Sequence, residues 1–364
     1  MKYLLHKYFI LTAMSVTLLA ACGGGNDNYY YPPVHVYPET AFIGLALDNT
    51  SSPTRLYVAN VNKRVIQSLD LSTNAVTIVA GSAGNMGSLD GTGSAALFGG
   101  AYGITLSGSN LYVADTFNQT IRKLTTAGAV TTLAGGTGEW GSLDGIGSAA
   151  RFFSPEGLVG DSTGTYLYVA DTGNNTVRQV DIGSGTVLTI AGSSMSAGYI
   201  DGDGATARFY APFAATLDTG GNLYVTDIRN QSIRMISTTS PYTVTTIAGS
   251  TSGAVGSADG NGNSATFYSP AGIVNDGTYL YVADYGNHVI RKILMVSPYT
   301  VTTLAGSAGS SGLVDGTGSA ARFFWPVGLA LDASGNLYVS DQNFQTIRKV
   351  NTSTGAVTTL AATF

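Results

Sequence analysis

The stretch LYVADTGNNTVRQV at residues 167–180 is repeated with few changes along the chain, and this repetition decides the fold. Close copies begin at residues 111, 223, 280 and 337, and a more divergent copy, LYVANVNKRVIQSL, begins at residue 56. The copies are spaced by 55 to 57 residues. A fixed period in this range is typical of solenoids, propellers and other repeat arrays.

Each repeat contains four short β-rich segments. Within residues 156–192 these are EGLVGD, LYVAD, TVRQVDI and TVLTIAG, separated by turn-forming residues and without long helical periodicity. Both faces of LYVA are apolar, which indicates that neighbouring units cover both of them. Six such units predict an all-β fold over residues 41–364, a six-bladed β-propeller with four antiparallel strands per blade. A β-solenoid is the alternative.

The order of the strands predicts how the circle closes. The first unit begins with its innermost strand, FIGLALD, and the last unit ends with its outermost strand, AVTTLAA. No blade is then shared between the two termini, and closure depends on packing between the faces of blades one and six. A strand contributed by VHVYP is the other possibility that the sequence leaves open.

The repeat resembles that of NHL-repeat propellers. SPEGLVGDSTGTYLYVADTGNNTVRQV and SPAGIVNDGTYLYVADYGNHVIRKI carry the family pattern most fully, although its Asn-His pair is present only at Asn287 and His288. The resemblance covers residues 41–362 and implies a propeller. Members of that family bind proteins, RNA or small ligands, and some relatives are enzymes. The resemblance therefore implies a fold rather than one function.

Five of the six copies place an Asp seven residues before an Arg. The divergent copy has Asn60 and Gln67 at these positions, so both charges are lost together. We predict that the two side chains meet across the hairpin, because losing one alone would leave a buried charge unpaired. A polar ring that binds a ligand is the alternative. The pairs are Asp115–Arg122, Asp171–Arg178, Asp227–Arg234, Asp284–Arg291 and Asp341–Arg348.

A second motif, of which LDGIGSAARF at residue 143 is an example, precedes each of blades two to six. Its Asp-Gly pair favours a turn. Its last residue, Phe98, Phe152, Phe209, Phe267 or Phe323, is predicted to fill the gap between blades. We expect this motif on the same face as the repeated hairpin. Variation around it predicts a ligand surface for a protein or glycan partner, comprising Trp140, Tyr199, Arg151, Arg208, Arg322, Asp144, Asp201 and Asp315.

The first 21 residues have the features of a secretory signal, because Lys2 and Lys7 precede an apolar run that ends in small residues. Cys22, the single cysteine, follows at once and resembles the lipidated cysteine of the bacterial lipoprotein box. An ordinary cleaved signal is the alternative. Residues 22–40 contain Gly and Pro runs that predict a tether. We expect an exported monomer that is lipid-anchored at the cell envelope, and Gly23 resembles a signal for the outer membrane.

The charge and the scarcity of histidine limit the chemistry. A net charge of −5 argues against nucleic acid as a partner. Beyond the signal, His35 and His288 are too few for a three-histidine metal site, and only His288 lies within the predicted propeller.

No cofactor is expected, and calcium is the only metal with a candidate. Asp201 and Asp203 resemble a fragment of a calcium loop that lacks its glutamate. The only three glutamates of the chain, Glu39, Glu139 and Glu156, are not expected in the central channel. We therefore expect a non-enzymatic binding or scaffold module. The alternative is a metal-dependent hydrolase or lactonase with its site in that channel.

Overall fold

The computed structural model describes residues 42–49 and 54–364, which form six antiparallel sheets. The predicted signal, Cys22 and the whole tether, which includes VHVYP, lie outside the described residues. None of the helices among the described residues combines the length and apolarity that crossing a membrane requires. The six-bladed β-propeller predicted from the repeats is confirmed.

Each blade is built from consecutive strands, and its four long strands follow one another from the axis outward. Blade one contains β1 (Phe42–Asp48), β2 (Arg55–Asn60), β3 (Val65–Asp70) and β4 (Val76–Ala80). Blade two contains β5 (Gly91–Thr92), β6 (Ala101–Ser107), β7 (Asn110–Asp115), β8 (Thr120–Thr125) and β9 (Ala129–Ala134). Blade three contains β10 (Gly145–Ile146), β11 (Pro155–Gly160), β12 (Tyr166–Asp171), β13 (Thr176–Asp181) and β14 (Thr186–Gly192).

The remaining three blades repeat this order. Blade four contains β15 (Pro212–Leu217), β16 (Asn222–Asp227), β17 (Ser232–Ser237) and β18 (Val244–Ala248). Blade five contains β19 (Gly260–Asn261), β20 (Pro270–Asn275), β21 (Tyr279–Asp284), β22 (Val289–Leu294) and β23 (Thr300–Gly306). Blade six contains β24 (Gly316–Thr317), β25 (Pro326–Leu331), β26 (Asn336–Asp341), β27 (Thr346–Asn351) and β28 (Ala356–Thr359).

Single 3₁₀ turns are the only helices among the described residues. Four lie before the entry into a blade, at Gly93–Ala95, Gly147–Ala149, Gly262–Ser264 and Gly318–Ala320. Four lie in the hairpin between the second and third long strands, at Thr116–Asn118, Thr172–Asn174, Tyr285–Asn287 and Gln342–Phe344. We call the face that carries these hairpins the upper face and the opposite one the lower face.

The inner strands form a closed ring around the axis. Each packs against the inner strand of the next blade, and β1 packs against both β6 and β25. Close approach requires glycine, because a Cβ added at Gly103 would overlap the carbonyl oxygen of Glu156. Leu45 and Val58 of blade one pack with Tyr338 of blade six. Among the described residues the ring therefore closes through side-chain packing, without a shared blade.

A separate apolar core fills each gap between blades. Phe98, for example, is fully buried among residues of blades one and two, and Phe152 among those of blades two and three. Phe209, Phe267 and Phe323 occupy the same position in the next three gaps. Since each blade has such a core on both faces, its second strand can be apolar on both sides.

Four blades contain a fifth strand that the sequence did not predict. The segment entering each of blades two, three, five and six adds a two-residue strand to the outer edge of that blade. In blade three, Gly145 lies opposite Val187, at the lower end of β14. The motif therefore runs along the outer edge, and the expectation that it lies with the hairpins on one face is wrong. It covers part of an edge strand that would otherwise be open to pairing.

A buried arginine joins this segment to its blade. The Arg178 side chain has no exposure, and its Nη1 donates hydrogen bonds to Asp171 Oδ2 at 2.7 Å and to the Arg151 carbonyl oxygen at 3.0 Å. Its Nη2 donates to Asp144 Oδ1 at 2.8 Å and to the Leu143 carbonyl oxygen at 3.1 Å. The ring of Phe152 lies 5.2 Å from the guanidinium carbon, within cation–π range. We call this arrangement the arginine clamp.

The clamp recurs in every blade that a junction segment enters. Its aspartate also accepts backbone N–H bonds, as Asp171 Oδ1 does from Phe153 at 2.8 Å. Burial raises the pKa of Asp171 to about 6, while Arg178 opposes the rise by favouring the carboxylate. The other clamps are Arg122 with Asp115 and Asp90, Arg234 with Asp227 and Asp201, Arg291 with Asp284 and Asp259, and Arg348 with Asp341 and Asp315.

Blade one explains why both charges are lost together. Asn60 Nδ2 donates a hydrogen bond to Gln67 Oε1 at 2.8 Å, so the two side chains still meet across the hairpin. In the described part of the chain no junction segment covers this blade. An arginine here would lack the second aspartate and the two carbonyl acceptors, and a neutral pair avoids that cost.

The clamp predicts a measurable non-additivity. Arg178→Gln should lower the free energy of unfolding by about 3–5 kcal/mol, because it leaves Asp171 buried without its cation. Adding Asp171→Asn, which reproduces the pair of blade one, should cost less than the sum of the two single changes. Urea unfolding followed by circular dichroism measures all three variants. Additive losses would contradict coupling between the two charges.

Candidate functional site

Strongly exposed apolar side chains are concentrated on the segments that join the blades. We call residues 81–100, 135–154, 193–211, 249–269 and 307–325 the junction loops. The exposed fractions of eleven large apolar residues on them lie between 41% and 64%. These are Met86, Leu89, Trp140, Leu143, Ile146, Met195, Ile200, Val255, Tyr268, Leu313 and Val314, the junction belt. Exposed apolar side chains that recur on equivalent surface loops make these loops a candidate interaction site.

Trp140 is the largest member of the belt. Its side chain is 56% exposed, and its ring packs against that of Phe153 with the centroids 5.4 Å apart. An ion pair between Arg151 and Glu139 lies beside it on the same loop. An exposed aromatic ring with charged neighbours resembles the anchor residues of protein interfaces.

The predicted arginines are bound within their own loops. Arg151 Nη1 donates to the carbonyl oxygens of Ser148 and Ala150 at 2.6 and 2.9 Å. Arg208 and Arg322 make equivalent bonds to the preceding 3₁₀ or turn carbonyls. These side chains satisfy the carbonyls of the last turn, so their main contacts are internal.

The other predicted surface residues also have internal contacts. Tyr199 is partly buried, and its ring lies 5.1 Å from the guanidinium carbon of Arg234. Asp144, Asp201 and Asp315 are the second aspartates of three clamps, with about half of each side chain exposed. Trp140 is therefore the one predicted surface residue that presents an exposed apolar ring.

The aliphatic part of the belt was missed by sequence reasoning. Leu89, Leu143, Ile200 and Val314 immediately precede the Asp-Gly pair, a recurrence that the sequence displays. An apolar residue at a repeated position suggests the core. The Asp-Gly pair that follows indicates exposure instead, because such a pair forms a turn at the surface.

The candidate calcium residues are not brought together with further acids. Asp201 Oδ1 bonds Arg234 Nη2 at 2.6 Å, and Asp203 is exposed. In the described ranges, no three His, Cys, Asp or Glu side chains are grouped as a metal site would require.

His288 forms part of a connection between blades on the upper face. Its Nδ1 accepts a hydrogen bond from the Trp325 backbone N–H at 3.2 Å. Gln119, Asn175 and Gln231 accept the equivalent N–H bonds in other blades. Burial lowers the pKa of His288, which favours the neutral form that this acceptor role requires.

A narrow cavity of about 140 Å³ occupies the central channel. Its walls are the inner strands, with glycines such as Gly44 and aliphatic residues such as Ile104 and Leu329. Tyr102 of blade two packs in one cluster with Phe213 of blade four and Val327 of blade six. The cluster also contains Ala271 of blade five, and all four residues occupy the second position of their inner strands, so they are buried together at the upper end of the channel.

Glu156 lines this cavity, so the expectation that no glutamate lies in the channel is wrong. It precedes Gly157 on β11, at the position that Tyr102 and Phe213 occupy in their own blades. The residue as a whole keeps partial exposure, but its Oε2 atom is buried without a hydrogen-bond partner. An unsatisfied buried carboxyl is rare and marks a candidate functional group.

The surroundings of Glu156 favour its neutral form. Burial raises its pKa to about 8. Burial also raises the pKa of the Tyr102 phenol, and Glu156 adds to that rise. A carboxyl with a raised pKa in the folded state reduces stability as pH increases from its unfolded value near 4.3 toward about 8.

Glu156→Gln should therefore stabilise the fold in a pH-dependent way. The gain in Tm should be small at pH 5 and should increase up to about pH 8, where the wild-type carboxyl is forced to ionise. Thermal unfolding between pH 5 and 9 measures this gain. The matched control is Glu139→Gln, at an exposed glutamate. A gain that is independent of pH, or equal in both variants, would contradict the assignment.

Sequence comparison finds relatives that carry the repeat, although no family model matches the chain. It is 29% identical over 310 residues to human NHL repeat-containing protein 2, covering 76% of this chain and 42% of that protein. It is 28% identical over 331 residues to the chloroplastic protein SUPPRESSOR OF QUENCHING 1 of Arabidopsis thaliana, covering 85% and 30%. The chain spans less than half the length of these curated relatives.

Solved structures share the fold at low identity. An auxiliary nutrient binding protein from Bacteroides thetaiotaomicron aligns with a TM-score of 0.64 and 16% identity, covering 88% of this chain and 69% of that one. A catalytically inactive virginiamycin B lyase from Staphylococcus aureus aligns with a TM-score of 0.53 and 12% identity, covering 89% and 85%. The chain is thus similar to NHL repeat-containing proteins in sequence and to these proteins in fold, and the similarities support an NHL-repeat β-propeller.

Proposed function

We propose that this chain is a lipid-anchored binding module of the cell envelope, and that its junction belt binds a protein partner. The observation that carries the proposal is the concentration of eleven exposed large apolar side chains on five equivalent loops. A monomer in water gains nothing from this exposure, whereas a partner that covers it removes apolar area from water.

The chemistry of the belt favours a protein over a glycan. Nine of its eleven members are aliphatic or sulfur-containing, and Trp140 and Tyr268 are the two aromatic residues among them. Protein interfaces combine such an apolar centre with a polar rim. The Arg151–Glu139 pair and the half-exposed clamp aspartates would form that rim.

The comparisons support a binding module at this coarser level. The nutrient binding protein of similar fold is described as a binding protein, and the fold itself serves many functions. The lyase of similar fold shows that this architecture also hosts catalysis. No group of metal-ligating side chains favours the hydrolase or lactonase alternative within residues 42–49 and 54–364.

The N-terminal residues support the anchored location. Cys22 is the single cysteine, and it follows an apolar run with the features of a signal. Lipid chains on this residue would attach the protein to a membrane surface. The Gly- and Pro-containing residues 23–39 would then separate the propeller from the lipid.

Site-specific photo-cross-linking in intact cells tests the belt. A photoreactive residue replacing Trp140 or Leu143 should yield one dominant protein adduct. The same residue replacing Leu188 or Ile78, which are 48% and 53% exposed but lie on outer strands, provides the matched control. The same adducts from all four positions would contradict a specific surface, and selective binding of a glycan by the belt would reject a protein partner.

The anchor has its own test. Cys22→Ala should abolish incorporation of labelled palmitate and should move the protein from the membrane fraction to the soluble fraction. Folding of the propeller should not change. Membrane association that survives this substitution would contradict lipid anchoring through Cys22.

A further inference from the structure

The central channel is a blind tube with one carboxyl near its closed end. The packing of Tyr102, Phe213 and Val327 closes it toward the upper face. From Glu156 its lining continues along β11 to Val159 and along neighbouring strands to Thr105 and Thr216. At about 3.3 Å per residue, Glu156 to Val159 spans roughly 10 Å of depth.

The lower end of the tube is surrounded by acidic residues. In each of blades three to six an aspartate directly follows the last residue of the inner strand. These are Asp161, Asp218, Asp276 and Asp332. Their carboxylates accept bonds within their turns, as Asp218 Oδ1 does from the Asn222 N–H at 2.8 Å. Acidic side chains at this end would attract a cation toward the opening.

The interior of the tube fits a ligand that is narrow and apolar and that carries one positive charge. Apart from Glu156, Phe213 and two threonines, its walls are glycine and aliphatic side chains, which match a narrow apolar chain. A volume of about 140 Å³ is close to that of an engineered cavity that binds benzene, a molecule of six non-hydrogen atoms. The unpartnered Oε2 of Glu156 then offers an acceptor to a cationic end that reaches the closed end.

We propose that the channel binds the primary ammonium end of a linear aliphatic chain, which enters from the lower face and pairs with Glu156. The ammonium supplies the partner that Oε2 lacks, and the methylene groups pack against Ile104, Leu158 and Leu329. A free alkylamine and a lysine side chain share this chemistry. The site is separate from the junction belt, so it does not depend on the proposed function.

Ligand binding at this site should be coupled to proton release, which makes the affinity depend on pH. The pKa of Glu156 near 8 means that the empty channel holds a neutral carboxyl at pH 7. Binding an ammonium requires the carboxylate, so one proton is released, and affinity should fall about tenfold per pH unit below pH 8. Tyr102 on β6 is the titratable neighbour. β15 contributes Phe213 and Ala214 to the lining, and the carboxylate of Asp171 on β12 is held in its clamp.

Isothermal titration calorimetry on the intact propeller tests this proposal. The probes are n-butylamine, 1,4-diaminobutane, Nα-acetyl-lysine methylamide and, as a neutral control, n-butanol. We expect saturable binding of the amines and none of n-butanol. Titration in two buffers of different ionisation enthalpy should report one proton released at pH 7. Binding of the lysine derivative alone would identify a peptide side chain as the source, and binding of n-butylamine would identify a free amine.

Two variants decide the role of Glu156. Glu156→Gln should weaken amine binding at least about thirtyfold, since it removes one partner of a buried charge pair. Glu139→Gln should leave it unchanged. The thermal stability of both variants shows that they fold. The proposal would be overturned if the wild type bound no amine, or if Glu156→Gln bound amines equally well. It would also be overturned if calcium chloride, and not an amine, saturated the site. Loss of cross-linking from the belt would leave these results unchanged.

Discussion

A buried guanidinium is the constraint on which the rest of the structure depends. In each of blades two to six it has no exposure, and it contacts two aspartates, two backbone carbonyls and the face of a buried Phe. Such a cation is stable only when all of these acceptors are in place. The clamp therefore fixes three segments at once: the hairpin, the incoming junction loop and the side chain that fills the gap between blades.

The same contact determines what the propeller presents to solvent. Arg122 Nη2 bonds the carbonyl oxygen of Leu89 at 3.0 Å, and the Leu89 side chain is exposed. Leu143, Ile200 and Val314 stand in the same relation to Arg178, Arg234 and Arg348. Because the backbone is held from inside, the apolar side chain has to point outward. The same motif therefore supplies both the buried clamp contacts and the exposed residues of the junction belt. A loop held rigid in this way loses little conformational entropy when a partner binds.

The fold could be predicted from the sequence because the chain contains six copies of one repeat, and comparing the copies shows which positions they share. Joint loss of charge at Asn60 and Gln67 also predicted a contact across the hairpin. The second aspartate of each clamp, Asp144 for example, was read instead as part of a ligand surface, since its partner lies more than thirty residues away in the sequence. Glu156 was missed for a different reason. The register of β11 shifts between Pro155 and Leu158, and such a bulge changes which side chains face the axis in a way that alternation cannot reveal.

Native-state hydrogen exchange tests the central role of the clamp most directly. The N–H groups of Gly99 and Gly100, which both bond Asp115 Oδ1 at 2.9 Å, lie in the junction loop rather than in a strand. If the clamp holds the loop to the blade, these two amides should exchange only through global unfolding, as slowly as the amides of β7. Exchange of Gly99 and Gly100 at the rate of an open surface loop, while β7 remains protected, would contradict the account.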